Sequence, residues 1–128
     1  MILIDSNILF LYIKRDGIVI DELTKIGFDN LAISTTTVCE AYYGMFHREK
    51  RQTIDIIKKF KKFHIDKEIS IKTESLILEY FGGGLSMPDA LIAATTLCNS
   101  LKLFTLNKKD FDFIKGIDFY KPTQKIIP

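Results

Sequence analysis

The chain has 128 residues and a mass of 14.7 kDa, with 47% apolar, 27% charged and 12% aromatic residues and a net charge of +2. That length suits one domain able to bury roughly 65–70% of its unfolded surface, and an ordinary apolar fraction with weak net charge excludes a disordered chain. The longest apolar run, Ile8 to Ile13, falls far short of the roughly 20 residues a membrane-spanning helix needs. The opening Met-Ile-Leu-Ile-Asp lacks the basic start of a signal peptide. Cys39 and Cys98 each sit among apolar neighbours and read as small buried hydrophobes. Two such cysteines make no disulfide framework, so the expected setting is a reducing cytoplasm.

In chain order, Met1–Ile4 is a short apolar run of the buried-strand type, and Asn7–Lys14 reads as a helix stopped near Asp16-Gly17. Ile18–Ile26 is a second helix ended by Gly27, and Leu31–Ser34 a second strand. A Thr-rich cap leads into a helix over Thr36–His47. Glu49–Phe63 reads as one further helix, with Ile54, Ile57, Phe60 and the stem of Lys61 on one face. Lys67–Phe81 is helical through Ile71, Ser75, Ile77, Leu78 and Phe81, and Gly82-Gly83-Gly84 breaks it. Ser86–Leu101 is a helix with a small apolar face of Ala90, Ala93, Ala94 and Leu97. Leu103–Thr105 is a strand, and Ile117–Tyr120 a last one. Strands separated by helices predict a three-layer α/β/α fold of one domain over residues 1–128, with a short-stranded, mostly parallel central sheet.

Charge is unevenly divided. Residues 48–62 carry Arg48, Lys50, Arg51, Lys58, Lys59, Lys61 and Lys62 against Glu49 and Asp55, while residues 1–47 and 63–100 are each net −3. A basic segment beside acidic ones suits a polyanion-binding surface next to a cation site; the competing reading is a solvated amphipathic helix.

In a parallel sheet, sites form beyond the carboxyl ends of the strands. Asp5 directly follows the first strand, Glu40 lies in the first turns of the helix after the second, and Asp89 opens the helix before Leu103–Thr105. Asn107 and Asp110 follow that strand. Each has a plainer explanation as a helix cap: Asp5 or Ser6 before the first helix, Thr37 to Glu40 and Ser86 to Asp89 as capping boxes, Asp110 before Phe111-Asp112-Phe113. Caps have no reason to share one edge, however, and four carboxylates there repel unless a cation compensates. An oxygen-only set without His or Cys suits a hard divalent ion such as Mg²⁺ or Mn²⁺.

Four segments resemble motifs of the PIN-domain family, in particular its small VapC-type toxin ribonucleases: Ile4-Asp5-Ser6-Asn7-Ile8-Leu9, Ile33 to Glu40 followed by Gly44, Pro88-Asp89-Ala90-Leu91-Ile92-Ala93-Ala94, and Thr105 to Phe111. They occur in order across essentially the whole chain. The resemblance implies that Asp5, Glu40 and Asp89 hold the metal. It leaves the fourth position open between Asn107, whose amide adds no charge, and Asp110. Ser6 would orient Asp5 or a water. It further implies hydrolysis of RNA to a 5′-phosphate and a 3′-hydroxyl, a homodimer, and a cognate antitoxin as partner. The asparagine at position 107 supports an alternative, a catalytically silent PIN-like module binding RNA or protein. Another Mg²⁺-dependent α/β phosphotransferase is a third reading.

Three further features are weighed and set aside. The triple glycine is no phosphate loop, since no Gly-Lys-Ser/Thr follows, and reads as a hinge. Tyr42, Tyr43 and Phe46 could stack on RNA bases, but at helical spacing they read as core or subunit interface, and with Ile54 and Ile57 they exceed what a thin core needs and point to a dimer contact. His47 and His64 have no partner by spacing and stay surface or packing residues.

Overall fold

The computed structural model describes residues 1–127. Its strands are β1 (Ile2–Ile4), β2 (Leu31–Ser34), β3 (Lys61–Phe63), β4 (Lys102–Phe104) and β5 (Asp118–Phe119), in the order β3-β2-β1-β4-β5 with every pairing parallel. The helices are α1 (Ser6–Ile13), α2 (Gly17–Ile26), α3 (Thr35–Gly44), α4 (Lys50–Ile57), α5 (Lys67–Glu79) and α6 (Met87–Cys98). The architecture is the expected α/β arrangement with a parallel central sheet.

Side-chain alternation along the strands divides the core in two. Ile4, Leu31, Ile33 and Phe104 pack on one face with Ile8 and Leu9 of α1, Leu23 of α2, Val38 of α3 and Ile57 of α4. Leu3, Ala32 and Leu103 pack on the other with Ile69 and Leu76 of α5 and Ile92, Ala93 and Ala94 of α6. Strands buried on both faces are continuous apolar runs, which is why Ile2-Leu3-Ile4 is recognisable despite being only three residues long. The chain leaves β1 toward β2 and β3 on one side, then crosses to β4 and β5 on the other. The crevice beyond β1 and β4 is therefore the switch point of the sheet, where parallel α/β folds place their ligands.

The stretch read as a single helix over Glu49–Phe63 divides. A short 3₁₀ turn spans His47–Glu49, α4 ends at Ile57, and Lys61–Phe63 is the edge strand paired with Ala32–Ser34. The apolar spacing misleads because Phe60 reaches the same core as Ile57 from the turn beyond the helix. Lys61 and Lys62 lie on an exposed edge, where charge discourages pairing with other chains. The preceding helix also stops early: α3 ends at Gly44, and His47 belongs to the 3₁₀ turn. Cys39 is exposed on α3 and Cys98 half-buried, so neither is the fully buried hydrophobe its neighbours suggested; both are unpaired. Ile57 is core, which removes it from any free interface, whereas Tyr43 and Phe46 stand 91% and 63% exposed. The triple glycine forms a turn in which Gly82 and Gly84 take φ of +82° and +83°, values glycine adopts without strain.

Glu22 of α2 is fully buried and ties down the C-terminal segment. It accepts bonds from the Tyr120 hydroxyl (2.5 Å), the Thr123 backbone N–H (2.8 Å) and the Thr123 hydroxyl (2.7 Å). Burial alone would raise its pKa, but these three donors outweigh it and hold the carboxyl below its usual 4.5. Burial and the same bond push the Tyr120 hydroxyl up to about 12. Glu22→Ala should therefore cost about 2 kcal/mol or more in urea unfolding at pH 7, since it strands buried donors. The lowered Glu22 pKa makes its contribution complete above about pH 4.5 and lost as pH falls through the folded value. The raised Tyr120 pKa makes its contribution complete below about pH 10 and lost as pH rises toward 12. Wild type and variant should therefore converge at both extremes.

Candidate active site

Asp5 occupies the end of β1 and is 5% exposed. Its backbone N–H donates to Phe104 O (2.9 Å), extending the β1–β4 ladder by one bond. Its Oδ1 accepts from the Ser6 N–H (2.7 Å), which caps α1, and its Oδ2 accepts from the Thr105 hydroxyl (2.8 Å). Asn7 braces the same junction: Nδ2 donates to Asp5 Oδ2 (3.5 Å) and Thr105 Oγ1 (3.4 Å), and Oδ1 accepts from the Leu106 N–H (3.3 Å). Thr105 Oγ1 also accepts from the Asn107 N–H (3.1 Å). Neither Asn7 nor Thr105 stands out in the sequence as a site residue, although both lie directly beyond strands on the same edge.

Ser34, not Thr37, caps α3: its hydroxyl accepts from the Thr37 N–H at 3.2 Å. Glu40 therefore lies in the second turn, outside any capping box, with no local bond to explain it. Ser86 caps α6 by accepting from the Asp89 N–H (3.2 Å), which sets Asp89 in the first turn as expected. Asp110 closes a 3₁₀ turn over Lys108–Asp110 and does not cap a helix through Phe111-Asp112-Phe113. Asn107 precedes that turn, is exposed, and makes no side-chain capping bond.

The four carboxylates sense one another. Burial raises the pKa of Asp5, and the Asp110 charge raises it further against the bonds from Thr105 and Ser6. Burial raises Glu40, with Asp5 and Asp89 adding to it. Burial also raises Asp89, opposed by Ser86 and reinforced by Asp5 and Asp110. The Ser6 hydroxyl lowers both Asp5 and Glu40 by a smaller amount. The Asp110 charge therefore reaches both Asp5 and Asp89.

Among the described residues, no three Asp, Glu, His or Cys side chains converge on one point as ion ligands. The donor set fits a hard divalent cation: all four groups are carboxylates, and three hold protons more tightly than usual, first because burial disfavours their charged forms and then because of their acidic neighbours.

The class this fold and edge define is a parallel α/β protein with an acidic crevice at the switch point of its sheet. The PIN domain family matches residues 2–116, and the chain belongs to that family. It is 31% identical to Ribonuclease VapC1 of Methanocaldococcus jannaschii over 124 residues, 93% of this chain and 86% of that protein. Among solved structures, a toxin-antitoxin complex from Klebsiella pneumoniae is 31% identical with a TM-score of 0.76, covering 91% of this chain and 95% of that one. VapBC2 from Rickettsia felis, bound to a DNA fragment from its promoter, shares the fold at 23% identity and a TM-score of 0.81, covering 94% and 98%.

Removing one of the repelling charges should stabilise the cation-free protein. Glu40→Gln and Asp89→Asn should each raise the melting temperature in chelator at pH 7. The gain should shrink as pH falls through the raised carboxyl pKa values and be gone below the ordinary values of 4.5 for Glu40 and 3.8 for Asp89; differential scanning fluorimetry across pH reads it.

Proposed function

We propose that the protein is a divalent-metal-dependent endoribonuclease and the toxin of a type II toxin–antitoxin pair. The observation that carries this reading is the electrostatic cluster of Asp5, Glu40, Asp89 and Asp110 at the switch point between β1 and β4. Family membership, the ribonuclease name of the archaeal relative and the toxin–antitoxin title of the Klebsiella structure support it.

In this reading Asp5, Glu40, Asp89 and Asp110 hold Mg²⁺ or Mn²⁺, and Asp5, Glu40, Asp89, Asp110, Asn107 and Ser6 are the catalytic set. A bound divalent ion supplies Lewis acidity toward the phosphodiester and neutralises charge developing on its oxygens. Asp5 is the fixed point, because the Ser6 N–H orients one of its oxygens and Thr105, with Asn7, the other. Ser6 aligns Asp5 with Glu40 through its hydroxyl. Glu40 and Asp89 are half-buried at the same edge, and a carboxylate oxygen left free by the ion would orient the attacking water. Asn107 offers an amide oxygen to position that water.

The negative pocket also suits inhibition by an antitoxin segment carrying Arg or Lys, since a guanidinium pairs with carboxylates in a bidentate fork. Exposed Tyr42, Tyr43 and Phe46 suit a homodimer contact, with Ile54 half-buried beside it. No helix among the described residues is long and apolar enough to cross a membrane, and two unpaired cysteines fit a reducing cytoplasm as the working compartment.

Labelled RNA incubated with purified protein and Mg²⁺ or Mn²⁺ should be cut, and excess chelator should stop the reaction. Asp5→Asn and Asp89→Asn should remove detectable cleavage while the proteins stay folded by circular dichroism. Asp110→Asn should slow cleavage by a smaller factor than either of these. Cleavage that survives in chelator, or in Asp5→Asn, refutes the reading. Sedimentation should show a dimer at micromolar concentration that Tyr43→Ser/Phe46→Ser converts to monomer. The co-purified product of an adjacent small gene should abolish cleavage.

A further inference from the structure

At the end of α1 remote from Asp5, a cleft of about 650 Å³ opens between α1, α2 and α4. Arg15, Arg48, Arg51 and Lys59 line it, against one acid, Asp55. Two of these cations are held in place by aromatic rings. Lys59 donates to the Tyr12 hydroxyl (3.1 Å) and lies over the Tyr12 and Phe28 rings at 5.5 and 5.6 Å, and the Arg48 guanidinium stacks over Phe46 at 5.1 Å. The third observation is a backbone one. Arg15 follows the C-cap of α1 with φ of +63°, in the left-handed region that helix ends normally assign to glycine. The fold keeps an arginine where glycine would be easier, and that arginine borders the cleft.

We infer that this cleft is a phosphate-backbone subsite that holds single-stranded RNA away from the point of cleavage. The inference rests on the nuclease reading above and extends it to how substrate is held. The acidic edge repels a polyanion, so affinity for RNA has to come from cations elsewhere on the surface. α1 has eight residues, so the cleft is only about 12 Å from Asp5 along a single rigid helix. A strand engaged at one end of α1 reaches the other within a few nucleotides. Contacts of this kind go to phosphates and read no sequence.

The test uses the full-length protein and a fluorescein-labelled mixed-sequence 20-nucleotide RNA in chelator, followed by anisotropy from 50 to 200 mM KCl. Arg15→Gly/Arg48→Gln/Arg51→Gln should bind about 10-fold or more weakly at 150 mM KCl, with the log–log salt slope reduced by about 2, as three lost single-strand contacts require. Arg15→Gly alone should melt at or above the wild-type temperature, because it relieves the positive φ, and should still bind more weakly; a merely structural arginine would show the reverse. Arg48→Gln/Arg51→Gln leaves the strained position alone and should by itself reduce the slope by about 1.4. Unchanged affinity and slope in these variants overturn the inference. So does equal or tighter wild-type binding of an oligo-glutamate peptide, which would make the cleft a site for an acidic protein. Cleavage in Mg²⁺ is assayed in parallel. Wild-type protein that binds with the expected slope but never cuts refutes the nuclease reading and leaves the subsite standing. Cutting with wild-type slopes in all variants refutes the subsite alone.

Discussion

A buried carboxylate at the junction of two strand ends ties this molecule together. The Asp5 backbone N–H bonds to Phe104, its Oδ1 starts α1 through Ser6, and its Oδ2 takes the Thr105 hydroxyl from the end of β4. One residue therefore sets strand alignment, helix entry and the centre of the acidic edge. Three-residue strands offer few ladder bonds, so side-chain ties of this kind matter more here than in a longer sheet. Asn7 and Thr105 complete the junction, and they leave Asp5 little freedom to reorient.

Concentrating negative charge at one edge is costly, and the helices offset part of that cost. Asp5 caps α1, and Asp89 lies in the first turn of α6, where free N–H groups and the positive end of the helix dipole favour an anion. Each such placement is worth roughly 0.3–1 kcal/mol. The cap reading and the site reading of these residues are thus the same physics used twice. Glu40 has no such support in the second turn of α3, and burial together with Asp5 and Asp89 raises its pKa. A residue held there without a local bond is explained by the cluster it completes.

Much of this was legible because it depends on local chemistry. Continuous apolar runs mark β1 and β2, Ser86 three residues before Asp89 marks the start of α6, and acids directly beyond strands mark the edge. What escaped depends on tertiary contact. Lys61-Lys62-Phe63 has no strand pattern of its own and becomes β3 only because β2 offers an unpaired edge. Thr105 and Asn7 are ordinary polar residues until β1 and β4 lie side by side. Cys39 follows Val38 in sequence yet faces solvent, because a helix sends successive residues to different sides. That the Asp110 charge reaches Asp5 and Asp89 likewise depends on tertiary placement and not on spacing.

The same dipole logic links the two ends of α1. Asp5 stands at its positive end, and Arg15 lies one residue past the C-cap at its negative end. Charges of opposite sign are thereby kept a helix length apart, each favoured by the terminus it adjoins, so neither has to neutralise the other. That separation matters for any polyanionic substrate. Cations placed directly against Asp5, Glu40 and Asp89 would form ion pairs with them and occupy the oxygens a divalent ion needs. Moving the basic groups to the far end of α1, and pinning Lys59 and Arg48 on aromatic rings instead of carboxylates, leaves both surfaces their full charge. The chain's near-zero net charge is in this sense the sum of two strong local fields, and α1 is the rigid element that holds them apart.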